Sequence, residues 1–366
     1  MFTPTGKIMW ETKMSKIFLV DLEAVSTRYT GQWKDHVPQL LREAGHNVEV
    51  ISGPSDIPSA TTPGAFLNFG GTNIYKADQV AQLGRLFCSG SVQAGDHFIF
   101  TDAWHPGIIN LKYMSSLLNI PVTTHGLWHA GSYDPQDFLG RLVGNEPWVR
   151  NAEKSFFHAF DHNYFATDFH INMFDKNLFD GMFGPIHNDK IIRTGWPMEY
   201  MEDILTPFKG MTKRNLILFP HRIAPEKQVE IFRDLATHLP QYEFVVCQDK
   251  QLTKDEYHAL LGQAKMVFSA NLQETLGISC YEGAVVDAIP MVPDRLSYSE
   301  MYYPMFKYES KWTESYDAYT VYRPDICRAI MTHMDYYEHR LPQLKQQTED
   351  LSKNFFSASD MLRNIK

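Results

Sequence analysis

Glu274 and Glu282 stand on either side of Gly277 in the segment 271–282, NLQETLGISCYE, where an apolar strand-like run gives way to a helical pattern. The first amides of a helix have no carbonyl partner within it, and the peptide dipoles add positive potential at that end. Gly277, Ile278 and Ser279 are therefore expected to offer backbone donors to a diphosphate, and a glycine lets the chain approach phosphate oxygens closely. Glu282 follows five residues after Gly277, about 7–8 Å along a helix axis, where a carboxylate can accept both hydroxyls of a ribose. Glu274, ahead of the helix, would face the sugar. A loop glutamate and a helix-surface glutamate also occur at this spacing without any function. The strand, loop, helix and proline order that surrounds them favours a nucleotide-sugar site.

A second cluster lies in the segment 219–227, FPHRIAPEK. Pro225 marks a first helical turn, and Lys227 stands in that same turn, where a cation opposes the helix dipole and needs a compensating partner. Arg222 and Lys227 together would clamp a diphosphate and stabilise charge growing on a leaving group; two solvated surface cations are the plain alternative. In the first half of the chain, His125 and His129 lie in the segment 124–131, THGLWHAG. Four apart, they form a metal pair only on a helix, and Gly126 and Gly131 argue for a loop, so no metal is expected there. No D-x-D segment is present to hold a divalent ion against a diphosphate. Asp102, Trp104 and His105 close another strand-like run and, with His129, are candidates for the acceptor side; capping and packing at a strand end accounts for them equally well. The loop 26–31, STRYTG, lacks the G-x-G-x-x-G of a dinucleotide site.

These residues need elements to hold them. Apolar runs at 17–20, 48–51, 98–100, 122–124, 164–166 and 191–192 read as strands, with helical patterns at 33–44, closed by Gly45, and at 108–118. A second alternating series follows, with strands at 216–219, 244–246, 266–268 and 291–292 and helices at 225–239, 255–264 and 278–286. Alternation of this kind makes parallel α/β sheets, with ligands at the carboxyl ends of the strands. We expect an α/β chain of two doubly wound, Rossmann-like domains facing across a cleft: 14–205, 206–345, and a helical tail 346–366 packing back on the first domain, with the linker within 196–213. Residues 1–13 carry no pattern and read as an extension ahead of Met14. The 366-residue length suits two domains, and hydrophobic and charged fractions of 44% and 21% are those of a globular chain. Four scattered cysteines without a C-x-x-C pair, no membrane span and no signal sequence make the cytoplasm the expected compartment. A net charge of -9 gives a nucleic-acid partner no support but does not exclude a basic cleft.

Arg222 and Lys227 after the first strand of the second series, followed by Glu274 and Glu282 around a helix start, resemble the retaining GT-B glycosyltransferases of the family 4 type. The resemblance implies a UDP- or GDP-sugar donor and no further cofactor. It gives Arg222 and Lys227 to the diphosphate, Glu274 to the donor sugar, Glu282 to the ribose, and His125 to the donor sugar from the first domain. That family has a glycine a few residues before the closing proline, whereas this chain has Asp287 and Ala288, with Pro290 one position further out. The longer spacing, with LSYSEMYYP at 296–304, looks like the donor domain of the queuosine-tRNA mannosyltransferase group and, more loosely, of phage glucosyltransferases acting on hydroxymethylcytosine in DNA. The acceptor so implied is a modified base in DNA or a modified tRNA nucleoside; a lipid-linked or cell-envelope glycan is the alternative. Another two-domain enzyme, such as an epimerase or a phosphorylase relative, and a catalytically silent nucleotide-sugar-binding protein are the readings from other classes. Nothing in the sequence speaks to oligomeric state.

Overall fold

The computed structural model describes residues 15–25, 29–58, 67–183 and 190–365. The N-terminal extension and Ser26 to Arg28 of the loop at 26–31 lie outside the described residues. The chain runs β1 (Lys16–Val20), α1 (Tyr29–Glu43), β2 (Asn47–Ile51), α2 (Phe69–Cys88), β3 (His97–Phe100), α3 (Gly107–Leu117) and β4 (Thr123–Trp128). It continues through α4 (Phe138–Val143), α5 (Pro147–Ala159), β5 (His162–Phe165), α6 (Asp168–Phe179), β6 (Ile191–Arg193) and α7 (Tyr200–Leu205). Then come β7 (Leu216–Phe219), α8 (Val229–His238), β8 (Glu243–Val246), α9 (Lys254–Gln263), β9 (Met266–Phe268), α10 (Ile278–Val285) and β10 (Ile289–Pro293). The last elements are α11 (Tyr298–Met301), β11 (Lys307–Tyr308), α12 (Tyr316–Asp335), α13 (Tyr337–Phe355) and α14 (Ser359–Arg363).

Among the described residues the strands form two sheets, one of six in the order β2-β1-β3-β4-β5-β6 and one of five in the order β11-β10-β9-β7-β8. β1 pairs in parallel with both β2 and β3, and β7 with both β8 and β9. This is the doubly wound pattern, in which the chain leaves its first strand toward both edges. Parallel strands are covered on both faces, so they read as unbroken apolar runs: Ile17 to Val20, Phe98 to Phe100 and Leu216 to Phe219 are all buried. The chain divides into two compact units, the first made of residues 1–101 and 105–125, the second of 102–104 and 126–366. In the second unit, Ile217, Phe219, Phe232, Leu235, Phe268 and Met291 form the heart of the core. Among the described residues, no helix is long and apolar enough to cross a membrane.

Two local expectations change. The helix expected over 225–239 is a 3-10 turn, Pro225–Lys227, followed by α8, because Gln228 between them takes a left-handed backbone with φ 53°. Its side-chain amide donates to the carbonyls of Ala270 (2.6 Å) and Thr313 (2.7 Å), which offsets a conformation that costs a non-glycine residue about 1–2 kcal/mol. The strand expected at 122–124 runs on to Trp128, so His125 and Gly126 are strand residues and not a loop. Gly126 serves packing there: a Cβ would stand 2.7 Å from the Phe160 ring.

At its C-terminus α13 docks on the segment after β6. Trp196 donates its amide to the Phe355 carbonyl (2.9 Å), Arg193 reaches the carbonyl of Asn354 (2.9 Å), and Phe356 stacks on Tyr281 with ring centroids 3.8 Å apart. Gly195 makes this approach possible, with φ 65° and a Cβ position only 2.7 Å from the Phe355 carbonyl oxygen. Gly210 has a similar φ of 74° but open space around it. Gly195→Ala should therefore destabilise the chain by about 1–3 kcal/mol more than Gly210→Ala. Thermal unfolding of the two variants checks this, and equal midpoints would mean the helix is not held here.

Candidate active site

β7 and β9 are neighbours in the second sheet, and the loops that leave their carboxyl ends carry the charged residues. Lys227 is buried, and an ammonium out of water needs partners. Its Nζ donates to the Gln273 carbonyl (2.5 Å) and lies 3.4 Å from both Gln273 Oε1 and Glu274 Oε2. The compensating partner that a cation in this turn requires is therefore the loop after β9. Glu274 also accepts from Asn271 Nδ2 (3.3 Å) and the Thr275 amide (3.2 Å). Burial is the largest single influence and would raise its carboxyl, but the Lys227 charge, the His221 ring, the Gly277 amide and the hydrogen bond from Lys227 together hold it below the ordinary carboxylate range. His221, next to Arg222 in sequence, shares a hydrogen bond with Ser279 Oγ (3.2 Å), and burial followed by the Lys227 charge lowers it to about 3. It is neutral across the physiological range.

The loop itself is pinned from behind. Arg295 donates to the carbonyls of Asn271 (2.7 Å) and Ala270 (2.8 Å), and the Leu272 amide donates to the Glu226 carbonyl (2.8 Å). Gly277 caps α10 with φ 77°, and a Cβ there would meet Tyr298 Cε1 at 2.6 Å, so both backbone and packing exclude a side chain. Ile278 and Ser279 open the helix. At its other end Asp287 takes φ 63°, with Asp287 N bonded to Ala284 O (3.1 Å) and Ala288 N to Gly283 O (2.8 Å). That is the left-handed helix stop usually made by glycine, which is how the chain tolerates Asp287.

Glu282 sits one turn into α10 and accepts from the Tyr257 hydroxyl on α9 (2.8 Å). Burial pushes its carboxyl up to about 7, against Tyr257 and Lys254, which pull it down. Arg222 is paired with the buried carboxylate of Glu226, which also takes Arg141 of α4 at 2.8 Å. Tyr257, Asn271, Glu226 and Arg141 are the functional candidates that sequence reading missed; only Asn271 and Glu226 fall inside the motifs it singled out.

The remaining expected residues have other surroundings. His125 is fully buried in β4, its Nε2 3.0 Å from His97 Nδ1. His105 is buried and shares a hydrogen bond with Gln79 Oε1 (3.0 Å). Asp102 accepts the Trp104 amide (3.0 Å), and Trp104 Nε1 donates to Glu153 (3.0 Å). Glu153 also accepts the Ser132 amide (2.7 Å) and hydroxyl (2.6 Å), so it fixes the loop between β4 and α4. That loop meets the Glu274 loop: the His129 carbonyl accepts from Thr275 Oγ1 (3.3 Å), and Asp134 accepts from Gln273 Nε2 (3.2 Å). The His129 ring packs on Trp196.

No protein-family model and no curated protein sequence matches the chain. Solved structures do. The catalytic domain of starch synthase IV from Arabidopsis thaliana, bound to ADP and acarbose, superposes with a TM-score of 0.59 at 11% identity, covering 96% of this chain and 100% of that one. Sucrose-phosphate synthase from Thermosynechococcus elongatus gives a TM-score of 0.59 at 11% identity, over 93% of this chain and 95% of that one. WaaG, a glycosyltransferase involved in lipopolysaccharide biosynthesis, gives 0.56 at 10% identity, over 95% and 98%. The chain has the GT-B fold, and at these identities the likeness is one of fold.

A carboxyl near 7 makes the Glu282 position sensitive to pH. If its carboxylate form accepts the ribose hydroxyls, nucleoside diphosphate affinity rises with pH through 7 and is roughly tenfold weaker at pH 6 than at pH 8. Glu282→Gln should weaken binding and flatten that profile. Titration calorimetry at both pH values checks it, and an unchanged slope in the variant removes Glu282 from the site.

Proposed function

We propose that the chain is a retaining glycosyltransferase that moves a sugar from a nucleoside diphosphate sugar to a hydroxyl acceptor, with residues 206–345 holding the donor. The observation that carries this reading is the Lys227–Glu274 contact, which holds a cation for phosphate and an ionised carboxylate for a sugar at the carboxyl ends of adjacent strands. Arg222, Lys227 and the amides at Ile278 and Ser279 meet the diphosphate, Glu282 takes the ribose, and Glu274 faces the sugar. The bond from the anomeric carbon to the diphosphate oxygen breaks, and the leaving charge is met by the two cations. The acceptor oxygen attacks from the same face and its proton passes to the departing diphosphate. The anomeric configuration is then kept. Hydroxyls on a modified base in DNA or tRNA are the acceptor class favoured by the donor-domain resemblance. Hydroxymethylated DNA, tRNA and simple glycans offered side by side separate this from an envelope-glycan acceptor.

Cations that act on a leaving group are worth most once it carries its full charge. Lys227→Ala and Arg222→Ala should each lower turnover by about 100–1,000-fold while weakening intact donor binding less. Steady-state kinetics beside donor titrations check this, and wild-type turnover in both folded variants would refute the clamp. Because these cations and the helix start supply the positive potential, we expect activity in EDTA and a product with the donor's anomeric configuration. Proton NMR of the product reads both; an inverted coupling, or activity only after magnesium or manganese is restored, goes against this mechanism.

A further inference from the structure

Glu226 is the one charged residue of the FPHRIAPEK segment whose side chain is completely shielded, and it is shared between two arginines. One carboxylate oxygen takes Arg222, four residues earlier; the other takes Arg141, contributed by α4 at 2.8 Å. Both arginine side chains are about one-third exposed, whereas the anion they share is buried. Arg141 is further held by the Gln136 carbonyl (2.6 Å). Asp137 also faces both arginines, and it caps α4 through the Leu139 amide (2.9 Å).

Charge arithmetic over the three partners gives this arrangement a consequence. An Arg222–Glu226 pair alone is neutral and has little to offer a diphosphate, because every contact to phosphate competes with the buried carboxylate. Arg141 brings the Arg222–Glu226–Arg141 triad to a net charge of +1, so that the ionised Asp137 leaves the cluster neutral and not negative, and it keeps Glu226 paired when Arg222 turns toward phosphate. A buried carboxylate stripped of its partner is costly, so Arg222 can leave Glu226 only if another cation stays. We propose that Arg141 is a positioning residue for donor binding: by retaining the shared counter-ion Glu226, it frees Arg222 for the diphosphate. This inference rests on the proposal that Arg222 meets the donor diphosphate.

The test uses UDP, GDP and ADP, each titrated calorimetrically into the full chain, with thermal unfolding of every variant as a check on folding. Arg222→Ala tests the underlying reading: unchanged affinity for the diphosphate that binds overturns that reading, as does failure of all three to bind wild type. Arg141→Ala leaves the pair neutral and should weaken binding at least about tenfold. Glu226→Gln removes the buried anion and should hold or raise affinity. The Arg141→Ala/Glu226→Gln double variant restores the net +1 charge on Arg222 and should recover most of the wild-type affinity. A general loss of structure would not be rescued in this way. If Arg222→Ala weakens binding while Arg141→Ala does not, the shared counter-ion is wrong. It is equally wrong if Arg141→Ala weakens binding and Glu226→Gln fails to rescue it, since Arg141 then acts by another route.

Discussion

An ammonium group buried between two loops has to be neutralised where it stands, and Lys227 sets that condition for the second sheet. Its Nζ takes the Gln273 carbonyl and the Glu274 carboxylate, so the turn after β7 and the loop after β9 cannot settle independently. The supports around them follow from the same demand. Gln228 accepts a left-handed backbone in order to reach the Ala270 and Thr313 carbonyls, and Arg295 ties down the carbonyls of Ala270 and Asn271. Residues held this firmly lose little further freedom when a ligand arrives, which is the physical content of a preorganised site.

The ionisation states follow from burial and from which charge lies nearest. Glu274 is held as a carboxylate because Lys227 and the donors around it together outweigh burial, whereas Glu282, with a phenol and a more distant lysine for company, is pushed up to about 7. Two glutamates eight positions apart in one motif thus titrate differently. Glu153 supplies order from the opposite side, gathering the Ser132 amide and hydroxyl with the Trp104 indole. It thereby fixes the loop whose Asp134 and His129 carbonyl meet Gln273 and Thr275. A fold shared with starch synthase IV and WaaG limits where a ligand can sit but not which reaction occurs; these local charges carry the functional reading.

The sequence by itself determined the alternation of strand and helix and hence the two parallel sheets, because a strand buried on both faces must be apolar along its whole length, as at 17–20, 98–100 and 216–219. It also marked Gly277 as a turn into a helix and the Arg222 to Lys227 segment as charged where a helix dipole disfavours cations. It did not reveal α2, α5 or α6 plainly, since their buried faces carry polar residues, Gln79, Glu153 and His170 among them, whose partners lie far along the chain. Nor did it separate β4 from a loop, because Gly126 is required by the Phe160 ring and not by a turn. Only tertiary structure decided that Lys227 reaches Glu274, that Tyr257 reaches Glu282, and that Arg141 shares Glu226 with Arg222. These partners lie 25 to 85 residues apart. No period or short spacing encodes such pairings; they exist because buried charges and hydrogen-bonding groups must find partners in three dimensions.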